Sequence, residues 1–152
     1  MKSRVATGSD LEVLWLLNQT VFSEADRFDR PRLSYFIAKA RGFVLLATPT
    51  RSRTLALGLV VVLQRGQVAR VHALGVVPSH RRHGVGTGLL HDALKIAVNR
   101  GARVARCDTR ATNIASQAMV QRAGFAELVL VPAFYADGEA SLRFTRQLRR
   151  PE

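Results

Sequence analysis

Apolar positions change their period several times along the chain. Leu11, Leu14, Leu17 and Val21 recur every three or four residues with Trp15 beside them, which predicts a helix capped by Ser9 or Asp10 and running to about Phe22. Pro31 suits the first turn of a second helix ending near Gly42, with Leu33, Phe36, Ile37 and Ala40 apolar. Arg4–Thr7 reads as a short first strand, and Phe43–Ala47, Leu55–Leu63 and Val68–Val77 as three longer ones. The breaker Thr48-Pro49-Thr50-Arg51-Ser52-Arg53 and the turn Gln64-Arg65-Gly66-Gln67 separate these runs, and Pro78 ends the last. Connections this short imply antiparallel pairing.

After Pro78 the period becomes helical. Leu89, Leu90, Ala93, Leu94, Ala97 and Val98 share a face, and Asn99-Arg100-Gly101 is a stop signal. Val104–Thr109 reads as the next strand, so Val68–Thr109 forms a strand–helix–strand unit whose strands are expected to be parallel. Asn113 can cap a further helix ending at Ala123-Gly124, and Phe125–Val131 and Ala140–Leu148 read as a closing pair of strands. The expected class is α/β, an α+β arrangement around a mixed sheet.

At 152 residues, 47% hydrophobic and 22% charged, the chain has the composition of one globular domain. No apolar run approaches the ~18 residues of a membrane span, so no membrane partner is expected. Val13–Leu17 is too short, and too close to Asp10 and Glu12, for a signal peptide. Cys107 is the single cysteine, which excludes an internal disulfide and a cysteine metal cluster. No metal is expected, and a cytoplasmic protein is the simplest expectation. The charge is lopsided: 23 basic residues face 11 acidic ones, a net +12. From Arg30 to Arg106 there are 14 basic residues and one acidic residue, Asp92, so the middle carries +13 and the flanks −1. Such an excess fits an anionic partner, whether a nucleic acid, an acidic membrane or a phosphorylated small molecule.

The stretch Val76-Val77-Pro78-Ser79-His80-Arg81-Arg82-His83-Gly84-Val85-Gly86-Thr87-Gly88 joins the end of a strand to the start of a helix. Physically it is an anion cradle. Glycines let the backbone turn sharply, the first helical turn presents free N–H groups, and Arg81 and Arg82 add charge. The G-x-G-x-G spacing, without a following acid, differs from a dinucleotide fingerprint, and the absence of G-K-[ST] differs from a P-loop.

The arrangement R-x-x-G-x-G at Arg81–Gly86, after a V-x-P strand end, resembles the GNAT superfamily of N-acetyltransferases. Asn113-Ile114-Ala115-Ser116, followed by Gly124-Phe125, resembles that family's N-x-x-[AS] helix start and its G-F end. The resemblance implies one N-acetyltransferase domain over residues 1–152 and acetyl-coenzyme A as cosubstrate. It also implies a mostly antiparallel sheet of about six or seven strands, with one parallel β-α-β unit and about four flanking helices. Strand backbone at Leu74, Val76 and Val77 would bind the pantetheine arm and the acetyl carbonyl. Arg82, His83, Gly84, Val85, Gly86, Thr87 and Gly88 would hold the pyrophosphate with Arg81 beside them, and Asn113 would touch the cofactor.

Acetyl transfer calls for a base, an oxyanion donor and an acid. His72 is one candidate base: its strand Val71–Val76 resembles that of arylalkylamine N-acetyltransferases, and an unperturbed pKa near 6.5 suits the task. Asp108 is the rival, at the place where ribosomal-protein N-terminal acetyltransferases carry a catalytic Glu, although it can also pair with Arg106 or Arg110. Many family members have a Tyr four residues before the G-F glycine; here that residue is Val120, which leaves Tyr135 as the candidate acid or acceptor-binding group. Cys107 is a weak candidate nucleophile and fits core filling better. The expected activity is direct acetyl transfer to a primary amine, a small amine or a protein N-terminus. The alternative is a non-catalytic module binding a coenzyme A ester or, through its basic surface, a nucleic acid. Nucleic acid is the less expected partner, and the resemblance is compatible with a homodimer.

Overall fold

A computed structural model describes residues 1–38, 41–49 and 55–149. Its strands are β1 (Lys2–Val5), β2 (Gly42–Thr48), β3 (Gly58–Arg65), β4 (Val68–Val76), β5 (Val104–Arg110), β6 (Ala126–Val131) and β7 (Ser141–Gln147). The helices are α1 (Leu11–Val21), α2 (Arg30–Ala38), α3 (Val85–Asn99) and α4 (Ile114–Arg122). Seven strands form one sheet in the order β1-β2-β3-β4-β5-β7-β6, antiparallel throughout except for the parallel pair β4/β5.

The long apolar runs are explained by a sheet covered on both faces. Leu45, Val60, Leu89, Leu90 and Phe144 pack on the face under α3 and α4. Leu14, Leu33, Phe36, Val44 and Leu46 pack on the face under α1 and α2. β2 and β3 serve both clusters, so they show no polar alternation.

Several boundaries move. β1 begins at Lys2 and ends at Val5, and Thr7 instead starts a single 3-10 turn, donating its N–H to Asp10 Oδ2 at 2.8 Å. β3 begins at Gly58 rather than Leu55; Thr50–Arg53 of the expected breaker and Ala40 of the second helix lie outside the described residues. That helix runs to Ala38, and Gly42, expected near its end, already pairs with Leu63 as the first residue of β2. β7 inserts between β5 and β6, which leaves β6 at the sheet edge.

Two irregularities open the sheet. β4 pairs with β5 only over Val68–Val71 against Val104–Cys107. Beyond that point β4 continues with β3 as far as Val76, while β5 continues with β7 as far as Arg110, so the two strands part. At the parting point Val62 faces Val71 and Val61 faces Ala73, which leaves His72 as the extra residue of a β-bulge. The bulge shifts the side-chain alternation by one place. Ala69 and Val71 lie on the α3 side before it, and Leu74 and Val76 lie on that side after it.

Four arginines close helix ends, where unpaired carbonyls and the negative pole of the dipole favour cations. Arg27 donates to Gln19 O and Phe22 O and Arg81 to Val21 O at the end of α1. Arg103 donates to Val98 O and Ala102 O after α3, and Arg146 to Ala123 O after α4.

Candidate active site

The parting of β4 from β5 exposes backbone that would otherwise be paired. Val77 N–H donates to Leu57 O at 2.8 Å, so alternation turns Gly75 and Val77 toward β3 and turns Leu74 and Val76 into the gap. Val76 O is taken by Arg81 Nε at 3.1 Å. Arg81, expected to add charge for a ligand, lines the cleft described below and also clamps the end of β4 to the end of α1 through Val76 O and Val21 O.

Directly beyond lies the basic loop. Gly84 sits at φ +80°, a left-handed conformation that glycine takes without penalty, and Arg82 is held at φ +64°. A strained non-glycine residue of this kind belongs with ligand-binding loops. The first helical bond is Gly88 N–H to Gly84 O at 2.9 Å. No backbone N–H from Arg82 to Thr87 finds an acceptor among the described residues. Six consecutive free donors at a helix N-terminus make an anion nest. A Cβ on Gly86 would lie 3.2 Å from Met119 Sδ and 3.5 Å from Val76 Cγ2, so the loop closes against α4 and β4 at that point.

The nest opens on a cleft of about 680 Å³ lined by Leu74, Val76, Arg82, Gly84–Thr87, Asn113, Ser116 and Arg122. Of the residues expected to bind the cofactor, Val77, His83 and Gly88 fall outside this lining. Asn113 caps α4 by accepting from Ser116 N–H at 3.1 Å. A second cavity of about 520 Å³ joins the first along Leu74, Asn113, Ser116 and Met119. Its walls include Phe22, Phe28, His72, Cys107, Asp108, Val120, Phe134 and Tyr135. All three residues expected to do acid–base work therefore meet in one chamber.

Their chemistry differs from the sequence expectation. His72 stacks between Phe28 and Phe36, with ring centroids 5.7 and 5.4 Å away, and its Nδ1 is buried with no partner. Burial, reinforced by the Arg70 and Arg32 charges, pushes its pKa down from 6.5 to about 4. It is thus neutral near pH 7, and a weaker base than its ordinary value implies. Asp108 does not pair with Arg106 or Arg110. Its Oδ1 accepts from Arg143 Nε at 2.9 Å and Ser141 Oγ at 2.8 Å, and Arg70 Nη2 stands 3.7 Å from Oδ2. Oδ2 is buried without a hydrogen bond. Burial pushes the Tyr135 hydroxyl up to about 12, so it stays protonated. It likewise raises the Cys107 thiol to about 12, which removes it as a nucleophile near neutral pH. Val120 is buried and presents no proton to the chamber.

Two features escaped the sequence reading. Asn18 is fully buried on the apolar face of α1. It holds Phe28 by both backbone groups, donating to Phe28 O at 2.8 Å and accepting from Phe28 N–H at 2.9 Å. A polar residue inside the Leu14–Val21 stripe was the available signal. The other is Arg110, whose guanidinium bonds Asp26 at 2.6 Å, Asp137 at 2.8 Å and Glu139 at 2.9 Å and lies 4.2 Å from the Tyr135 ring centre. It ties the segment before α2 to the β6–β7 loop across the chamber mouth.

Comparison with known proteins agrees with this layout. The family model described as acetyltransferase (GNAT) family matches residues 11–125. An aminoglycoside N(6')-acetyltransferase type 1 from Klebsiella aerogenes is 42% identical over 69 residues, which is 45% of this chain and 45% of that protein. The match thus spans under half of that relative's length. Among solved structures, the ribosomal-protein-S18-alanine N-acetyltransferase of Escherichia coli superposes with a TM-score of 0.83 at 18% identity, covering 99% of this chain and 97% of that one. Arabidopsis thaliana NAA60 in complex with acetyl-CoA superposes at 0.84 and 17% identity, covering 97% and 98%. Nourseothricin acetyltransferase superposes at 0.76 and 23% identity, also covering 97% and 98%. At these identities the structural likeness concerns the fold.

Proposed function

The chain belongs to the GNAT acetyltransferase family, and from that premise we propose that it transfers the acetyl group of acetyl-coenzyme A to a primary amine by direct attack. The observation that carries this reading is the run of unpaired N–H groups from Arg82 to Thr87 at the end of a strand split from its neighbour. The nest takes the pyrophosphate. The pantetheine arm follows β4, its amides meeting the backbone of Leu74 and the N–H of Val76, which face the gap. This route delivers the thioester to the junction of cleft and chamber. There an N–H of the same strand segment polarises the acetyl carbonyl as negative charge develops on its oxygen.

The acceptor enters from the aromatic chamber. Its amine stands on the side of the chamber lined by His72 and Asp108, and its proton leaves through water. The neutral nitrogen attacks the carbonyl carbon, the C–S bond breaks, and the proton shed by the nitrogen as it becomes an amide passes through water to the departing thiolate. Tyr135, held protonated by burial, serves as a hydrogen-bond donor and as a wall of the chamber.

Gly86→Glu tests the reading. Its side chain would start 3.2 Å from Met119 Sδ and place a carboxylate in the nest. Calorimetry is expected to show acetyl-coenzyme A binding to the wild type and none to the variant. Equal affinities would refute the nest assignment. Release of free thiol on adding a primary amine is the expected sign of transfer.

A further inference from the structure

We infer that the acceptor is a primary amine that also carries a carboxylate, of about amino-acid size. This rests on the acetyl-transfer reading and goes beyond it to the substrate class.

The charges around the chamber decide the point. Asp26, Asp137 and Glu139 share the single cation Arg110, and of the three only Asp26 lines the chamber. Asp108 is held by Arg143 and keeps one buried oxygen, Oδ2, without a hydrogen bond. Each of the two carboxylates in the lining thus has a cation of its own, Asp26 with Arg110 and Asp108 with Arg143. The cations are less occupied. Arg27 lines the chamber and bonds only to the neutral carbonyls of Gln19 and Phe22. Arg32 also lines it, and its guanidinium donates no hydrogen bond among the described residues; its nearest ring is Phe36, with Cζ 5.9 Å from the centre. Arg70 reaches Asp108 only at 3.7 Å and shares it with Arg143. Arg32 and Arg70 both stand close enough to lower the His72 pKa, alongside its burial.

Asp108 within the chamber and the guanidinium of Arg32, which holds no carboxylate among the described residues, at its rim are the complement of a zwitterion. The ammonium goes to the side lined by Asp108 and His72, and the carboxylate to Arg32, whose planar fork suits two carboxylate oxygens. Phe22, Phe28, Phe134 and Tyr135 surround the space between, which favours an apolar or aromatic side chain. A volume of about 520 Å³ accommodates one such residue.

The test measures thiol release by the full chain with acetyl-coenzyme A and four acceptors: L-phenylalanine, L-phenylalaninamide, phenethylamine and spermidine. kcat/KM for L-phenylalanine is expected to exceed each of the others by about tenfold or more, since a site built for a polar group rejects analogues lacking it. Arg32→Gln, at an exposed position, is expected to shrink the acid-over-amide ratio severalfold. Calorimetry with coenzyme A present supplies a readout independent of turnover: N-acetyl-L-phenylalanine is expected to bind more tightly than N-acetylphenethylamine. Selective binding without turnover of any amine would sustain the carboxylate site and sink the transfer reading. Turnover with the amide or spermidine equal to L-phenylalanine would overturn the carboxylate site and leave transfer standing. Failure to distinguish the two N-acetyl products would also overturn it.

Discussion

The depressed pKa of His72 makes stability depend on pH in a window this one side chain defines. The native imidazole titrates at about 4 and an unfolded histidine at 6.5. Between those values the unfolded chain holds a proton that the native one lacks, so stability falls as the pH drops. The contribution is complete above pH 6.5, declines on the way down to about pH 4, and is flat below. At 1.36 kcal/mol per pH unit the full shift corresponds to roughly 3 kcal/mol. The ring is only partly enclosed, and solvent screening reduces this to about 2 kcal/mol. For a chain of this size that is about 4–8 °C in Tm. The comparison is with His72→Gln, which fills similar space and does not titrate. Thermal melting of both proteins at pH 7.5, 6.5, 5.5 and 4.5 cancels the carboxylates they share. The wild type is expected to lose those additional degrees between pH 6.5 and 4.5. Parallel curves would refute the argument, and so would an acidic limb of the rate profile near pH 6.5 that His72→Gln abolishes.

Other outcomes follow from the same geometry. Gly84→Ala meets no atom within 4 Å but must hold φ near +80°, so it is expected to cost about 1 kcal/mol in urea unfolding and to weaken acetyl-coenzyme A binding in calorimetry. Asn18→Leu removes both bonds that fix Phe28 against His72; it should cost about 2 kcal/mol and raise the acceptor KM by a larger factor than the acetyl-coenzyme A Kd, in steady-state kinetics set beside calorimetry. In amide exchange, the N–H groups of Leu74 and Val76 face an unpaired gap, and acetyl-coenzyme A is expected to slow them while leaving β2 amides unaffected.

Element types and order were legible because each period is dictated by burial. The helical recurrence of Leu89–Val98 persists as α3, and the alternation of strands and breakers persists as the β2–β4 meander. The nest was legible because glycine spacing and a strand end are local signals. The chamber was not, for physical reasons. His72 owes its environment to a bulge, which depends on pairing with β3 and leaves no mark on residue type. Its titration follows from Phe28, Phe36, Arg32 and Arg70, which the fold brings together. The +12 looked like a ligand signal, yet many arginines close helix ends or consume carboxylates, and this depends on which carbonyls the chain happens to leave unpaired nearby.

Arg110 has a consequence for the loops it joins. It joins Asp26 to Asp137 and Glu139, so one cation binds together the two segments that border the chamber mouth. A transplanted β6–β7 loop lacking those two acids would leave Arg110 paired with Asp26 alone and the two segments untied, and a changed residue 26 would untie them from the other side. The two borders of the chamber are thus coupled through one side chain, and a change in either loop alters the setting of the other.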